Sequence, residues 1–520
     1  MVFHSPNFLI FMILLLIPYY LWQKGRIRLL IVASCVFYAA SGIGLLLLFI
    51  AMTGITFIAM RLMQRPALSW MFWVGIAANV GNLVYFKYSL MFLNTIELAL
   101  GRDILLTDLA RTWLTDGQGE LLLPVGISFY TFQFISYLID VRRGTVEGTR
   151  NPFRLWMYVS VFPHLMAGPI MRGGELIPQL DKLNENNIRW NEIRFGLYMI
   201  LVGLIKKVAL ADQIAPIVNT LYGDIDSLST AQAWLATYLF GFQIYFDFSA
   251  YSDMALGLGY LLGFQLIINF RTPYLSSNPS EFWNRWHISL SRWIRDYIYI
   301  GLGGNRKGST RTYVNLLAAM LISGLWHGAA WHFAVWGGVH GLLLVVYRWW
   351  TKVMDKLPWT KILRANSLYH VLSIFVFYHI VTWTWVFFRA KNLGEAWTLT
   401  LKMAGIGSGA ADTPALSAGV SFANLADVSP LLRMLRSFAD AIGLPTSLSL
   451  SGGLGAGLLL VAVLYALHIF EWALRDREAK ASRVWHWVPA PLRGFVYAAI
   501  ILALFYFMKG ETYDFIYFQF

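Results

Sequence analysis

The sequence predicts an all-α polytopic membrane protein, and three observations predict it. The 520 residues are 58% hydrophobic and only 13% charged, with a mean hydropathy of +0.56, whereas soluble domains carry about 25% charged residues. Apolar runs recur from end to end, at 6–22, 28–60, 68–100, 118–140, 152–172, 195–215, 229–270, 311–348, 370–390, 455–474 and 489–508. A spanning helix needs about 20 such residues, so several runs exceed one helix and the chain holds roughly 11 to 15 hydrophobic helices, not all of which cross completely. The polar segments between the runs contain no cluster of acids or histidines of the kind that marks an independent soluble enzyme.

The N-terminal run lacks a basic leader and a small-residue cleavage site, which makes it a retained first helix. Lys24, Arg26 and Arg28 follow it, and Arg61 and Arg65 follow the next region. By the positive-inside bias the 22–28 loop is cytoplasmic and the N-terminus lies outside. The formal charge of +13 is dispersed over such short loops, so retention and orientation in a bilayer explain it without a nucleic-acid partner. Cys35 is the only cysteine and allows no intrachain disulfide.

Two regions depart from plain spans. Residues 271–311 interleave Arg285, Arg292, Arg295, Arg306, Lys307 and Arg311 with Trp283, Trp286, Trp293, Tyr297 and Tyr299, the mixture of helices at the headgroup layer. Residues 403–455 are rich in small and turn-forming residues and read as a polar lobe within one domain covering 1–520.

Ionisable side chains inside hydrocarbon cost at least a few kcal/mol and face protein or water-filled cavities. The stretch ISGLWHGAAWHFAVWGGVHG at 322–341 carries His327, His332 and His340. His327 lies between Trp326 and Gly328, with Gly324, Ala329 and Ala330 nearby. It is either a neutral ring hydrogen-bonded between helices or a general base kept neutral by burial. On one continuous helix His332 would lie about 140° and His340 about 220° round from it, so the three would not share a centre. With no thiolate at hand and no His-Glu-x-x-His spacing, a zinc site is not indicated.

His287, bracketed by arginines and aromatics, is either an interfacial ring or part of the entrance to the same cavity. Asn284, Arg285, Arg292 and Arg295 around it are candidate contacts for a phosphate-bearing donor. The glycine-rich GLGGNRKG at 301–308 has neither Walker nor dinucleotide spacing. Asp247 and Asp253 lie about 240° apart on a helix and are expected to pair with basic residues rather than act together. Lys206 and Lys207 mark a helix end or meet Asp212, and His164 and His379, in solitary settings, are structural.

Read in chain order, LPVGISFYTFQFISYLIDVRRG (123–144), FPHLMAGPIMR (162–172), LVGLIKKVALADQ (201–213), FQIYFDFSAYSDMALGLG (242–259), NPSEFWNRWHISLSRWIRDYIYIGLGGNRKG (278–308) and LISGLWHGAAWHFAVWGGVHG (321–341) resemble the membrane-bound O-acyltransferase family. VTWTWVFFRAKNLGEAW (381–397) and FIYFQF (515–520) extend the likeness to its bacterial alginate O-acetyltransferase branch. The resemblance implies helices around a central funnel or channel, a catalytic histidine at His327 in WHG, and a second at His287 in RWHISLSRW. It also implies a cytoplasmic acyl thioester, most simply acetyl-CoA, as donor substrate with no bound cofactor or metal. The acceptor would be reached from outside, through a periplasmic or membrane-anchored serine acyltransferase that decorates an exported polysaccharide in the bacterial inner membrane. The chain has no Gly-x-Ser-x-Gly elbow of its own. It departs from the pattern at Gly301, where many relatives carry proline, which loosens that turn. A polysaccharide or lipid transporter would account for the helices and basic loops, but not for WHG and RWHISLSRW together.

Overall fold

A computed structural model describes residues 2–115, 123–165, 168–406, 430–431, 454–475, 488–508, 513 and 515–516. The 403–455 lobe therefore lies almost wholly outside the described residues. What is described is α-helical, with twenty-two α-helices and no β-strand. In chain order these are α1 Pro6–Leu21, α2 Arg26–Ala39, α3 Ile43–Met63, α4 Met71–Leu83, α5 Ser89–Leu100, α6 Leu105–Leu114, α7 Ile127–Arg142, α8 Pro152–Ser160, α9 Phe162–Leu165, α10 Gly173–Asp181 and α11 Trp190–Leu204. The second half holds α12 Asp212–Gly223, α13 Thr230–Leu262, α14 Pro279–Trp283, α15 Ile288–Trp293, α16 Gly308–His327, α17 Trp331–Met354, α18 Trp359–Ala365, α19 Ser367–Arg389, α20 Leu393–Met403, α21 Leu454–Arg475 and α22 Ala490–Phe507.

Five described stretches are long and apolar enough to cross a membrane: Ile43–Met63, Pro66–Leu100, Ser367–Arg389, Gly457–Leu474 and Ala490–Phe507. The pair α1 and α2 adds a sixth only as a span bent by 119°. The sequence runs are broader than these helices because turns and buried polar residues cut them into shorter pieces. Leu504 is the buried residue of α22, while Phe495 and Leu502 lie open on its surface. Such apolar, exposed helices are stable in lipid, and the chain is a multi-pass membrane protein.

The chain divides into two compact units, one of residues 1–201 with 251–269 and the other of 202–250 with 270–520. In the first, Phe162 packs 5.3 Å from Phe11 and 5.4 Å from Phe37, joining α9 to α1 and α2. The elbow between α1 and α2 is held by Arg26, which is buried and donates to the carbonyls of Tyr19 at 3.2 Å, Leu183 at 3.3 Å and Asn186 at 2.6 Å. A residue that reads as one of three juxtamembrane charges thus serves as an internal clamp on backbone carbonyls. Polar side chains also join the membrane helices, with Asn79 of α4 donating to Thr56 of α3 at 2.9 Å and Gln133 of α7 meeting His164 at 3.2 Å.

In the second unit, α16 and α17 form an antiparallel hairpin whose backbones touch. A Cβ at Gly324 would sit 2.9 Å from the Gly337 Cα and collide with the Phe333 carbonyl, and one at Gly337 would sit 2.9 Å from the Gly324 Cα. Glycine is therefore required at both positions, as in close membrane helix pairs generally. Against this hairpin α19 is tied by two histidines: the His332 Nδ1–H donates to the Phe387 carbonyl at 2.8 Å, and His340 Nε2 lies 3.1 Å from Thr384 Oγ1. Because the Thr384 hydroxyl already donates to the Val381 carbonyl, it accepts from His340.

A second tie is ionic. The helix after α11 opens into a π turn at Ile205–Ala211, which presents Lys206 and Lys207 inward on different partners. The Lys207 amine lies 2.7 Å from Asp212 and 2.9 Å from Asp247, and donates to the Tyr513 carbonyl at 2.8 Å. Asp247 in turn accepts from the Ile516 amide at 2.7 Å, so one buried cluster fastens Tyr513 and Ile516 to α13. Lys206 pairs with Glu471 of α21 at 2.6 Å, and the Tyr245 hydroxyl donates to the same carboxylate.

Two stability predictions follow from these contacts. Gly324→Ala, which meets backbone that cannot yield, costs about 1–3 kcal/mol by overpacking and lowers the melting midpoint in detergent by several degrees. Gly54→Ala in α3, where a Cβ meets nothing, leaves it unchanged or raised. Equal midpoints for the two variants would refute the backbone contact. Lys207→Met leaves two buried carboxylates uncompensated and costs about 3–5 kcal/mol. The triple change Lys207→Met, Asp212→Asn and Asp247→Asn recovers most of that loss, and a triple variant as unstable as the single one would show that the charges are not the cause.

Candidate active site at the end of helix α16

The segment 322–341 is not one helix. It breaks at Gly328, whose backbone is extended at φ −159° and ψ 153°, and resumes at Trp331. A Cβ at Gly328 would enter the Phe333 ring, 2.8 Å from its Cζ, so the break closes down on an aromatic side chain. This separates the three histidines by role. His332 and His340 sit on α17 and hold α19, whereas His327 is the last residue of α16 and is buried.

Aromatic rings surround His327. Trp326 and Trp336 each stand with ring centroids 5.0 Å away at near-right angles, and Phe388 of α19 lies at 5.3 Å. The end of a helix concentrates partial negative charge from its last carbonyls. A ring placed near such an end is favoured in its protonated form.

His287 is the second member. Its ring centroid lies 6.5 Å from that of His327, 5.6 Å from Trp326 and 4.7 Å from Phe248. It is fully buried and caps α15 in the left-handed region, at φ 41° and ψ 56°. Only Thr272 shares that conformation among the described non-glycine residues. Such a backbone costs about 1–3 kcal/mol and persists where the surroundings enforce it, commonly at functional sites. The enforcement is visible: the Arg271 amide donates to the Arg285 carbonyl at 2.8 Å, while Trp286 packs 5.1 Å from Phe270 and 4.9 Å from Trp385. Behind His287, Phe248 packs 5.6 Å from Phe515, which neighbours the fastened Ile516.

The structure brings His327 and His287 together, and it sets the polar residues around His287 elsewhere. Asn284 and Arg295 are exposed where His287 is buried. Arg285 is engaged by Glu281 at 2.6 Å, and Arg295 by its neighbour Asp296 at 2.6 Å. Arg292 is half-buried on α15. Asp247 pairs with the basic Lys207. What sequence reasoning missed is the enclosure of the histidines by Trp336, Phe388, Phe248 and Phe515. The available signal was Gly328 after His327, a helix terminator that allows residue 336 to fold back on residue 327.

The chain is similar to known proteins along most of its length. Residues 146–387, which contain both histidines, match the model of MBOAT, the membrane-bound O-acyltransferase family. The chain is 40% identical to the probable alginate O-acetylase AlgI of Azotobacter vinelandii over 418 residues, 78% of this chain and 79% of that protein. It is 40% identical to the protein of that name from Pseudomonas putida over 408 residues, 76% of this chain and 79% of the relative. To the peptidoglycan O-acetyltransferase of Helicobacter pylori it is 36% identical over 406 residues, 72% and 73% of the two chains. With a buried histidine pair inside the matched region and this likeness along most of its length, the chain belongs to the membrane-bound O-acyltransferase family, close to its alginate O-acetylase branch.

Proposed function

We propose that this protein is an O-acetyltransferase of the bacterial inner membrane. It takes an acetyl group from a cytoplasmic thioester, acetyl-CoA in the simplest case, and passes it outward through a funnel between its helices. A periplasmic or membrane-anchored serine transferase then places it on an exported polysaccharide. The observation that carries the reading is the buried pair of His327 at the end of α16 and the backbone-strained His287, 6.5 Å apart ring to ring. Relatives named for O-acetylation of alginate and of peptidoglycan support the acetyl group and the polymeric destination.

The chemistry follows from the placement. A hydroxyl attacks a thioester poorly until a base takes its proton. The neutral His327 ring accepts that proton as the oxygen lone pair attacks the carbonyl carbon. The tetrahedral intermediate collapses by re-forming C=O and expelling the thiolate, which takes the proton back from the imidazolium. The helix end favours the charged ring during this interval. Rigid aromatic walls fix the approach of both substrates, which makes the encounter effectively intramolecular. His287 orients the reacting group from the neighbouring wall.

Outside the aromatic enclosure, the basic stretch of 281–307 meets the donor. Asn284 and Arg295 are exposed to it, Arg292 lies on the same short helix as His287, and Arg285 is aligned by Glu281. Phosphates of a nucleotide thioester suit these guanidinium groups, and the positive-inside bias puts the stretch on the cytoplasmic face.

The decisive experiment uses protein in liposomes with labelled acetyl-CoA outside or inside, with and without a co-encoded periplasmic serine transferase. His327→Ala is expected to insert and accumulate while transfer falls by about 10²–10⁴-fold, the usual contribution of a general base. Normal transfer by a well-expressed variant would rule out His327 as the base. Label is expected first on the partner or a small acceptor. Efficient labelling of polysaccharide with no partner present would overturn the relay.

A further inference from the structure

Four tryptophans form one contiguous cluster beside His327. Trp336 lies 5.8 Å from Trp283 and 5.7 Å from Trp385, and Trp385 lies 4.9 Å from Trp286. All four side chains are buried, three of them completely. The indole Nε1 of each has no hydrogen-bond partner among the described residues. An indole N–H is a donor only, and a buried polar group left unsatisfied costs about 1–3 kcal/mol. Four such donors side by side therefore call for a complementary group rich in acceptor oxygens.

The cluster's own acceptor does not answer the call. His340 gives its Nε2–H to Thr384, which leaves Nδ1 as an acceptor, and its ring lies 4.7 Å from Trp336. That Nδ1 is itself buried without a partner among the described residues, so the donor and the acceptor lie close and unjoined.

The four indoles are not equivalent with respect to the chemistry. Trp385 is turned to the backbone of α13, where its Nε1 would lie 3.6 Å from a Cβ on Gly241. Trp336 stands perpendicular to His327 with centroids 5.0 Å apart and is completely buried. A base reaches its proton across about 2.6–3.2 Å, and an oxyanion donor lies about 2.7–3.1 Å from the developing charge. One attacking oxygen and one carbonyl placed between them separate base and donor by roughly 5–7 Å. The two rings touch, with centroids 5.0 Å apart, so the carbonyl has to lie beside their contact, within reach of the nitrogens at the ring edges.

We propose that the Trp336 indole N–H is a catalytic donor that stabilises the oxyanion of the tetrahedral intermediate formed at His327. The inference rests on the acyl-transfer reading above and assigns it a residue that neither histidine supplies. When the acceptor oxygen forms its bond to the carbonyl carbon, the C=O π pair moves onto oxygen. That oxygen accepts the Trp336 N–H, while His327 holds the proton from the hydroxyl. On collapse the pair returns to re-form C=O, the C–S bond breaks, and the thiolate recovers the proton. The indole keeps its hydrogen throughout. In the resting enzyme the same N–H selects the carbonyl oxygen of the acyl group over a donor-only group.

The test replaces the N–H without changing the ring's shape. Trp336→β-(3-benzothienyl)alanine substitutes sulfur for N–H, and Trp336→Phe is a second variant that keeps an aromatic wall. Acetyl transfer from acetyl-CoA is followed in liposomes with the serine transferase present, alongside His327→Ala and the isosteric change at Trp385. The expected result is a fall in kcat of about 10²-fold for the isosteric Trp336 variant, with KM for acetyl-CoA within threefold and the melting midpoint unchanged. The isosteric Trp385 variant should retain kcat within about threefold, because its N–H faces Gly241. A kcat within threefold of wild type at Trp336 would overturn the inference, as would a lowered midpoint with unchanged kcat, which would mark the N–H as structural. These failures are separable from failure of the acyl-transfer reading. If wild type transfers acetyl and His327→Ala does not, the reading stands while Trp336 alone falls; if wild type transfers none, both fall.

Discussion

The contact on which the site depends is the approach of two helix backbones at Gly324 and Gly337. No side chain separates α16 from α17 there, so the hairpin closes far enough for Phe333 to pack under the break at Gly328. That closure decides where α16 ends and therefore that His327 is a terminal residue, at the end where partial negative charge gathers. It also carries Trp336 across to face that ring. Two hydrogen bonds from His332 and His340 then fix α19, which contributes Phe388 and Trp385. Three histidines that share one apolar stretch thus do two kinds of work, and the division comes from a single chain break.

A membrane protein has little hydrophobic force with which to press one helix on another, so polar contacts in the interior count for more than their number suggests. The Lys207 cluster illustrates the point. One amine satisfies Asp212, Asp247 and the Tyr513 carbonyl, and Asp247 receives the Ile516 amide. Breaking such a group is costly because its members cannot be resolvated in place. Its benefit is specificity: Tyr513 and Ile516 are held, with Phe515 against Phe248 and Phe248 against His287. Arg26 does the same in the other unit with carbonyl oxygens in place of carboxylates.

The fold class was legible in composition and run length, because the bilayer imposes both. The burial of His327 was legible as well, since an ionisable ring in an apolar stretch has to face protein or a cavity. Which ring is used was not settled by periodicity, which presumes an unbroken helix and places His332 and His340 by rotation alone. The helix break that separates them depends on Gly328 meeting Phe333, a tertiary contact. The pairing of Lys207 with Asp247 bridges forty residues and a π turn, a local irregularity that no apolar pattern announces. Arg26 was misread for a related reason. A basic residue after an apolar run looks the same in sequence whether it ends in water or on three buried carbonyls. The pairing of Arg285 with Glu281 and of Arg295 with Asp296 required the short helices to be placed.

The setting of His327 also constrains the order of events. An aromatic enclosure is a poor place for a lasting ion, since rings offer no solvation comparable to water and the helix end supplies only a fraction of a charge. In the mechanism we propose, a proton taken by His327 is returned within the same catalytic act. A thiolate leaving from the adjacent carbonyl is suited to take it, which couples departure of the donor to neutralisation of the base. A stable acyl-histidine would instead leave the attacked ring derivatised and the expelled thiolate in need of another proton source. Direct transfer between two substrates held in one enclosure, as proposed, avoids both difficulties.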